Sequence, residues 1–153
     1  MNEDFLDILR ALRANGTQFL VVGAHALAGH GVVRATGDLD IWVNGSPQNI
    51  PRIWSALALF GAPVAALGIV PEDFGVTGTV IQIGLPPRRI DLMTSITGVD
   101  FEDAWRSRFE ITIADLLVPL LSRSALIKNK LTLGRAQDLV DVETLARLAS
   151  REK

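Results

Sequence analysis

Hydrophobic positions along this chain change period several times, and each change marks an element. Phe5, Ile8, Leu9 and Leu12 recur at helical steps, and Asn15-Gly16 closes that first helix. Phe19–Gly23 is a short apolar run that predicts a strand, followed through small residues by a helix to about His30. Leu39–Val43 predicts a second strand. Ser46-Pro47 has the form of an N-cap with proline at the first helical position, opening a helix to about Phe60. Residues 61–78, rich in Gly and Pro, predict an irregular stretch with one short helix.

Val80–Leu85 and Arg89–Thr94, joined through Pro86-Pro87, predict an antiparallel pair. Their imperfect alternation suits strands covered on both faces. Phe101–Arg106 predicts a short helix and Phe109–Ile113 another strand. Val118-Pro119-Leu120 reads as an edge segment, because proline cannot donate to a central ladder. Ser122 can cap a helix that reaches Leu133 and ends at Gly134, and Ala136–Ser150 carries Leu139, Val142, Leu145 and Leu148 as a helical stripe. The expected architecture is α+β: a mixed β-sheet, helices mainly on one face, and a C-terminal two-helix tail. One domain is expected over 1–153, with a core to about residue 120 and the tail from about 121.

Composition narrows the function classes. A hydrophobic share of 48% supports a folded globule, and a net charge of −2 argues against a protein built for bulk nucleic-acid affinity. The absence of cysteine removes disulfides, thiolate zinc sites and cysteine nucleophiles. Met1-Asn2-Glu3-Asp4 is acidic, unlike the positive start of a secretory signal. No apolar run approaches the roughly 20 residues needed to span a bilayer, so no membrane partner is expected, and a cytoplasmic location is.

The chemistry concentrates in Gly37-Asp38-Leu39-Asp40-Ile41-Trp42-Val43. Residues two apart on a strand share a face, so Asp38 and Asp40 point the same way and repel unless a cation or proton lies between them. Magnesium takes oxygen ligands from one or two carboxylates together with substrate phosphates; a solvated strand end is the competing reading. Upstream, Gly23-Ala24 stands in a strand-to-helix turn where backbone N–H groups can meet a phosphate. Arg34 and Thr36 lie between the turn and the carboxylates, Arg34 as a phosphate contact or a carboxylate's partner and Thr36 as a turn residue. Arg88-Arg89-Ile90-Asp91 places a third carboxylate in another strand, where it serves the same site or pairs with its neighbouring arginines.

Gly23-Ala24, Asp38-x-Asp40 and Asp91, in that order, resemble the signature of the minimal nucleotidyltransferases of the DNA polymerase β superfamily. Within that superfamily the resemblance is to the group that includes abortive-infection toxins. Lys130, Gly134-Arg135, Asp138 and Asp141 resemble that branch's Lys-x3-Gly-Arg-x2-Asp-x2-Asp run. Ala24 departs from the usual Gly or Ser and brings no hydroxyl. The resemblance implies transfer of a nucleoside monophosphate from a nucleoside triphosphate to a protein or RNA acceptor. Asp38, Asp40 and Asp91 would then bind Mg2+ and serve catalysis, while Gly23, Ala24, Arg34 and Lys130 would bind the nucleotide. Lys128 competes with Lys130, and Arg135, Asp138 and Asp141 read as a structural network. A catalytically weak nucleotide-binding or interaction module, such as a toxin–antitoxin component, is the alternative. A homodimer or an antitoxin would be its partner.

His25 and His30, five apart, do not share a helix face and make no metal site. Trp42, Trp54 and Trp105 read as core anchors, with Trp42 alone near enough to the carboxylates for base stacking. The geometric expectation is that Asp38, Asp40 and Asp91 converge on one pocket, with the Gly23-Ala24 turn at its rim and Lys130 approaching from the tail. Carboxylates so placed should raise one another's pKa when no metal is bound.

Overall fold

The computed structural model describes residues 1–151. The first helix, α1 (Glu3–Ala14), starts where the Asn2 side chain accepts from the Phe5 backbone N–H at 3.0 Å, with Glu3 and Asp4 at its positive end. It buries Phe5, Ile8, Leu9 and Leu12. The chain continues through β1 (Phe19–Val22), α2 (Gly23–Gly29), β2 (Asp38–Val43), α3 (Ile50–Phe60), α4 (Val64–Leu67) and a 3-10 turn at Pro71–Gly75. Then come β3 (Val80–Ile83), β4 (Arg89–Met93), α5 (Phe101–Arg106), β5 (Phe109–Ile113), β6 (Leu116–Leu120), α6 (Arg123–Leu133) and α7 (Ala136–Arg151).

The strands form one mixed sheet in the order β3-β4-β2-β1-β6-β5. β2 runs antiparallel to β1 and parallel to β4, while β1 and β6 are parallel. Strand alternation divides the apolar residues between two cores. Phe19, Val21, Leu39, Ile41, Ile90 and Leu92 pack under α1 and α3. Leu20, Val22 and Trp42 face the other way, against α2, α5, α6 and α7. The α+β class, the mixed sheet and the two-helix tail are as expected, and the helices divide between the two faces.

Trp42 is 2% exposed and meets Phe101 edge-on at 5.0 Å, so it is a core anchor and is not free to stack on a base. Trp54 and Trp105 are partly buried, each against its own core.

Four local expectations are corrected. Ser46 does not cap α3; residues 46–49 form a turn, and the helix starts at Ile50. The buried Asn49 side chain is engaged elsewhere, accepting from Gln18 N–H at 2.8 Å and donating to the carbonyls of Gln18 and Asn44. It ties the start of β1 to the end of β2. Pro119 lies on an interior strand, not an edge. This is tolerated because β6 is paired with β1 at Leu120 only, so proline's missing donor breaks no ladder there. β3 alternates exposed and buried residues, so it is covered on one face, not two. Finally, Leu139 is 49% exposed, and the inward face of α7 opens instead with Asp138 and Asp141, followed by Leu145. A 3.6-residue period carries the inward face onto 138, 141 and 145.

Candidate active site

Three carboxylates meet on one face of the sheet. In β2, Leu39, Ile41 and Val43 enter the first core, so Asp38 and Asp40 point to the opposite side. In β4, Ile90 and Leu92 turn inward and Asp91 shares that side with Arg89. Parallel register sets Asp40 directly beside Asp91 and Asp38 beside Arg89.

The Gly23 turn closes over this cluster. Gly23 has φ +67, and a Cβ there would overlap the Asp40 carboxylate. Both conditions select glycine: backbone handedness and the close approach of a carboxylate. Upstream, the Thr36 hydroxyl accepts from the Asp38 N–H at 3.1 Å, a turn role that aims the start of β2.

A cleft of about 300 Å³ opens beside the cluster, lined by Gly23, Asp40, Met93, Ser95, Thr97, Asn129, Lys130, Leu133 and Arg135. Lys130, not Lys128, enters it from α6. Ser95, Thr97 and Asn129 bear no motif and were invisible in the sequence. The Asn129 amide donates to the Thr97 carbonyl at 2.8 Å, joining the tail to the loop after β4. A larger cavity of about 470 Å³, bounded by His30, Arg108, Phe109 and Ser122 among others, contains none of the three carboxylates.

Electrostatically the cluster is short of positive charge. Burial first, and then the neighbouring charges of Asp91 and Asp38, push the Asp40 carboxyl up to about 6. Burial also raises Asp91, against the pull of Arg89. Among the described residues, Arg89 is the one cation bonded to these carboxylates. Its Nη2 donates to Asp38 Oδ2 at 2.7 Å and to Asp91 Oδ2 at 3.3 Å. Its Nε stands 3.2 Å from Asp91 Oδ1, yet neither of those buried atoms completes a hydrogen bond. In the sequence alone, Arg89 reads only as a partner that would idle Asp91. Its signal lay in the register: with Asp40 opposite Asp91, Arg89 falls opposite Asp38.

Arg34 and Lys130 belong to a second, contrasting network. Asp138 and Asp141 are each 1% exposed. Asp141 accepts from both terminal nitrogens of Arg34, one at 2.8 Å, and from the Gln137 amide at 3.1 Å, and pairs with Lys130 Nζ at 3.0 Å. Asp138 takes Arg135 Nε at 2.6 Å and lies 3.5 Å from Lys130. The Arg34 hydrogen bonds hold Asp141 well below the usual carboxylate range, and those of Arg135 lower Asp138. The structural network expected of Arg135, Asp138 and Asp141 is therefore present, with Arg34 and Lys130 drawn into it.

The two histidines are engaged separately. His30 Nε2 donates to the Leu121 carbonyl at 2.8 Å, and the His25 ring packs edge-on against Phe5. Among the described residues no three His, Asp or Glu side chains are already arranged to hold a metal ion. The donor set of Asp38, Asp40 and Asp91 nonetheless fits a hard divalent cation, being all oxygen, same-faced and under-compensated. What stands in the way is the Arg89 guanidinium bridging Asp38 and Asp91.

No protein-family profile and no curated protein sequence matches the chain. Among solved structures it is similar to the crystal structure of ANT(2")-Ia in complex with adenylyl-2"-tobramycin. The TM-score is 0.51 and the identity 17%, over 97% of each chain. At that identity the likeness speaks for the fold, which is nucleotidyltransferase-like. Among the described residues no helix is long and apolar enough to cross a membrane.

Proposed function

We propose that the chain is a metal-dependent nucleotidyltransferase that moves a nucleoside monophosphate from a nucleoside triphosphate to a hydroxyl of a protein or RNA acceptor. The observation that carries this reading is the placement of Asp38, Asp40 and Asp91 side by side on one sheet face, with the Gly23 turn against Asp40 and Lys130 in the adjoining cleft. Asp38, Asp40 and Asp91 would hold Mg2+, which when bound neutralises charge on the phosphate oxygens. The acceptor oxygen bonds to the α-phosphorus, the bond to the β-phosphate oxygen breaks, and pyrophosphate leaves. Asp91 takes the acceptor's proton. The Gly23 and Ala24 backbone faces the phosphates, Lys130 supplies a point charge to the triphosphate, and Arg34 binds the nucleotide only by giving up part of its pairing with Asp141.

The reading places the chain, as one nucleotidyltransferase-like domain, near the minimal nucleotidyltransferases and in the cytoplasm. The adenylylated aminoglycoside held by ANT(2")-Ia makes a small hydroxylated molecule the natural control acceptor. Incubation with α-labelled triphosphates, Mg2+ and a cell extract should label a protein or RNA band, and Asp38→Asn/Asp40→Asn should abolish it. Labelling that survives the double substitution refutes the mechanism.

A second reading, a nucleotide-binding or interaction module acting within a toxin–antitoxin pair, draws on Ala24, which offers no hydroxyl to a phosphate, and on Arg89, which already partners two of the carboxylates. Mg2+-dependent triphosphate binding in calorimetry, without turnover on any acceptor, would favour it.

A further inference from the structure

We propose that Arg89 is the resident cation of the carboxylate cluster, the group a divalent metal must displace, and therefore a positioning residue that sets the metal affinity of the site. The inference rests on the reading of Asp38, Asp40 and Asp91 as a metal site. Arg89 is placed for this by register, lying opposite Asp38 and two residues before Asp91 on the same strand face. One guanidinium faces three carboxylates and satisfies them incompletely. It bonds to Asp38 and to one oxygen of Asp91, while the other Asp91 oxygen, on a side chain only 10% exposed, is left without a hydrogen bond. The Arg89 Nε beside it, 3.2 Å away as an ion pair, likewise completes no hydrogen bond.

An unsatisfied buried oxygen facing an unsatisfied buried N–H marks a fit that is adequate in charge and poor in geometry. The planar fork spans both strands only by leaving its Nε out of line with Asp91 Oδ1, whereas a metal ion has no such plane and carries twice the charge. The Arg89 side chain is 30% exposed, so the guanidinium has an open route to solvent when it leaves. Two cations competing for one set of carboxylates oppose each other's binding, which makes the coupling reciprocal. Metal loosens Arg89, and Arg89 weakens metal.

The test is calorimetric titration of Mg2+ alone into the metal-free protein. Arg89→Gln should bind Mg2+ at least about tenfold tighter than wild type, since a positive charge within contact of the ligands is removed. Arg89→Lys, which keeps the charge but loses the fork, should lie between them. Asp40→Asn should abolish binding in both backgrounds. Circular dichroism checks that each variant is folded. The wild type supplies a readout independent of any substitution: the Arg89 Nε–H resonance should shift in NMR with the same Mg2+ midpoint as the calorimetry. If the wild type binds Mg2+ and Arg89→Gln binds it no tighter, or the Arg89 resonance stays fixed as metal binds, the role of Arg89 is overturned and the metal site stands. If neither wild type nor Arg89→Gln binds Mg2+, the metal reading itself falls and takes this inference with it.

Discussion

Two groups of carboxylates lie on the same side of the sheet and are treated in opposite ways. Asp138 and Asp141, almost wholly buried, are served by Arg34, Lys130, Arg135 and an amide, and both are held in their ionised form. Asp38, Asp40 and Asp91 share the single guanidinium of Arg89, and Asp40 is pushed up to about 6. Burying charge costs free energy unless it is compensated. The tail has built its compensation into the chain, as a structural element does. The cluster has left part of it out, which is the expected condition of a site completed by a cation from solution.

The contrast fixes the order of expected effects. Asp141→Asn should destabilise most, by about 3 kcal/mol in chemical denaturation, because it removes the negative charge shared by Arg34 and Lys130 and turns one of its two acceptor oxygens into a donor. The lower end of the usual range applies, since Arg34 is one-third exposed and can find water. A change under about 0.5 kcal/mol would mean that the tail network is not a stability element. Gly23→Ala should cost about 2 kcal/mol through its positive φ and should also drive Asp40 from its place, so the proposed nucleotidyl transfer should fall with stability. Full activity in a folded Gly23→Ala protein would contradict the close approach of turn and carboxylate.

Asp40→Asn should act with the opposite sign on stability. The folded pKa of about 6 lies above the ordinary carboxylate value. The contribution of Asp40 is therefore fully present below about pH 4 and lost as pH rises through 6. At pH 7, without metal, Asp40→Asn should stabilise by about 1–2 kcal/mol after allowance for solvent screening, and the gain should vanish near pH 4. Asp141 runs the other way. Its depressed pKa gives stability above about pH 4 that is lost as pH falls further. Denaturation curves across pH 3.5–7.5, an interval of about four units, would separate the two, and parallel profiles would erase the distinction. Leu139→Gln should be nearly silent, within about 0.5 kcal/mol, because the side chain is half in solvent.

Much of this arrangement was legible because strands have a period of two. Asp38 and Asp40 had to share a face, and Asp91, set between the inward-facing Ile90 and Leu92, had to share a side with Arg89. Local grammar also located α1 and the two tail helices. What escaped depends on partners distant in sequence. Ser46-Pro47 has the form of a helix start, but the side chain at Asn49 is claimed by Gln18, and the helix waits. Pro119 is tolerated on an interior strand only because β1 meets β6 so briefly. Leu139 looked like the start of the buried stripe because apolar residues are expected inside, yet paired carboxylates took that place. Arg89 could be understood only when the β2–β4 register was known.

The most direct test of the central claim is a crystal structure of the protein soaked with Mn2+ and a non-hydrolysable nucleoside triphosphate, read by anomalous scattering. The account predicts an anomalous peak within coordination distance of Asp38 and Asp40, with Asp91 facing it and the Arg89 guanidinium withdrawn from Asp38. A peak elsewhere, or none while Arg89 still bridges Asp38 and Asp91, would contradict it.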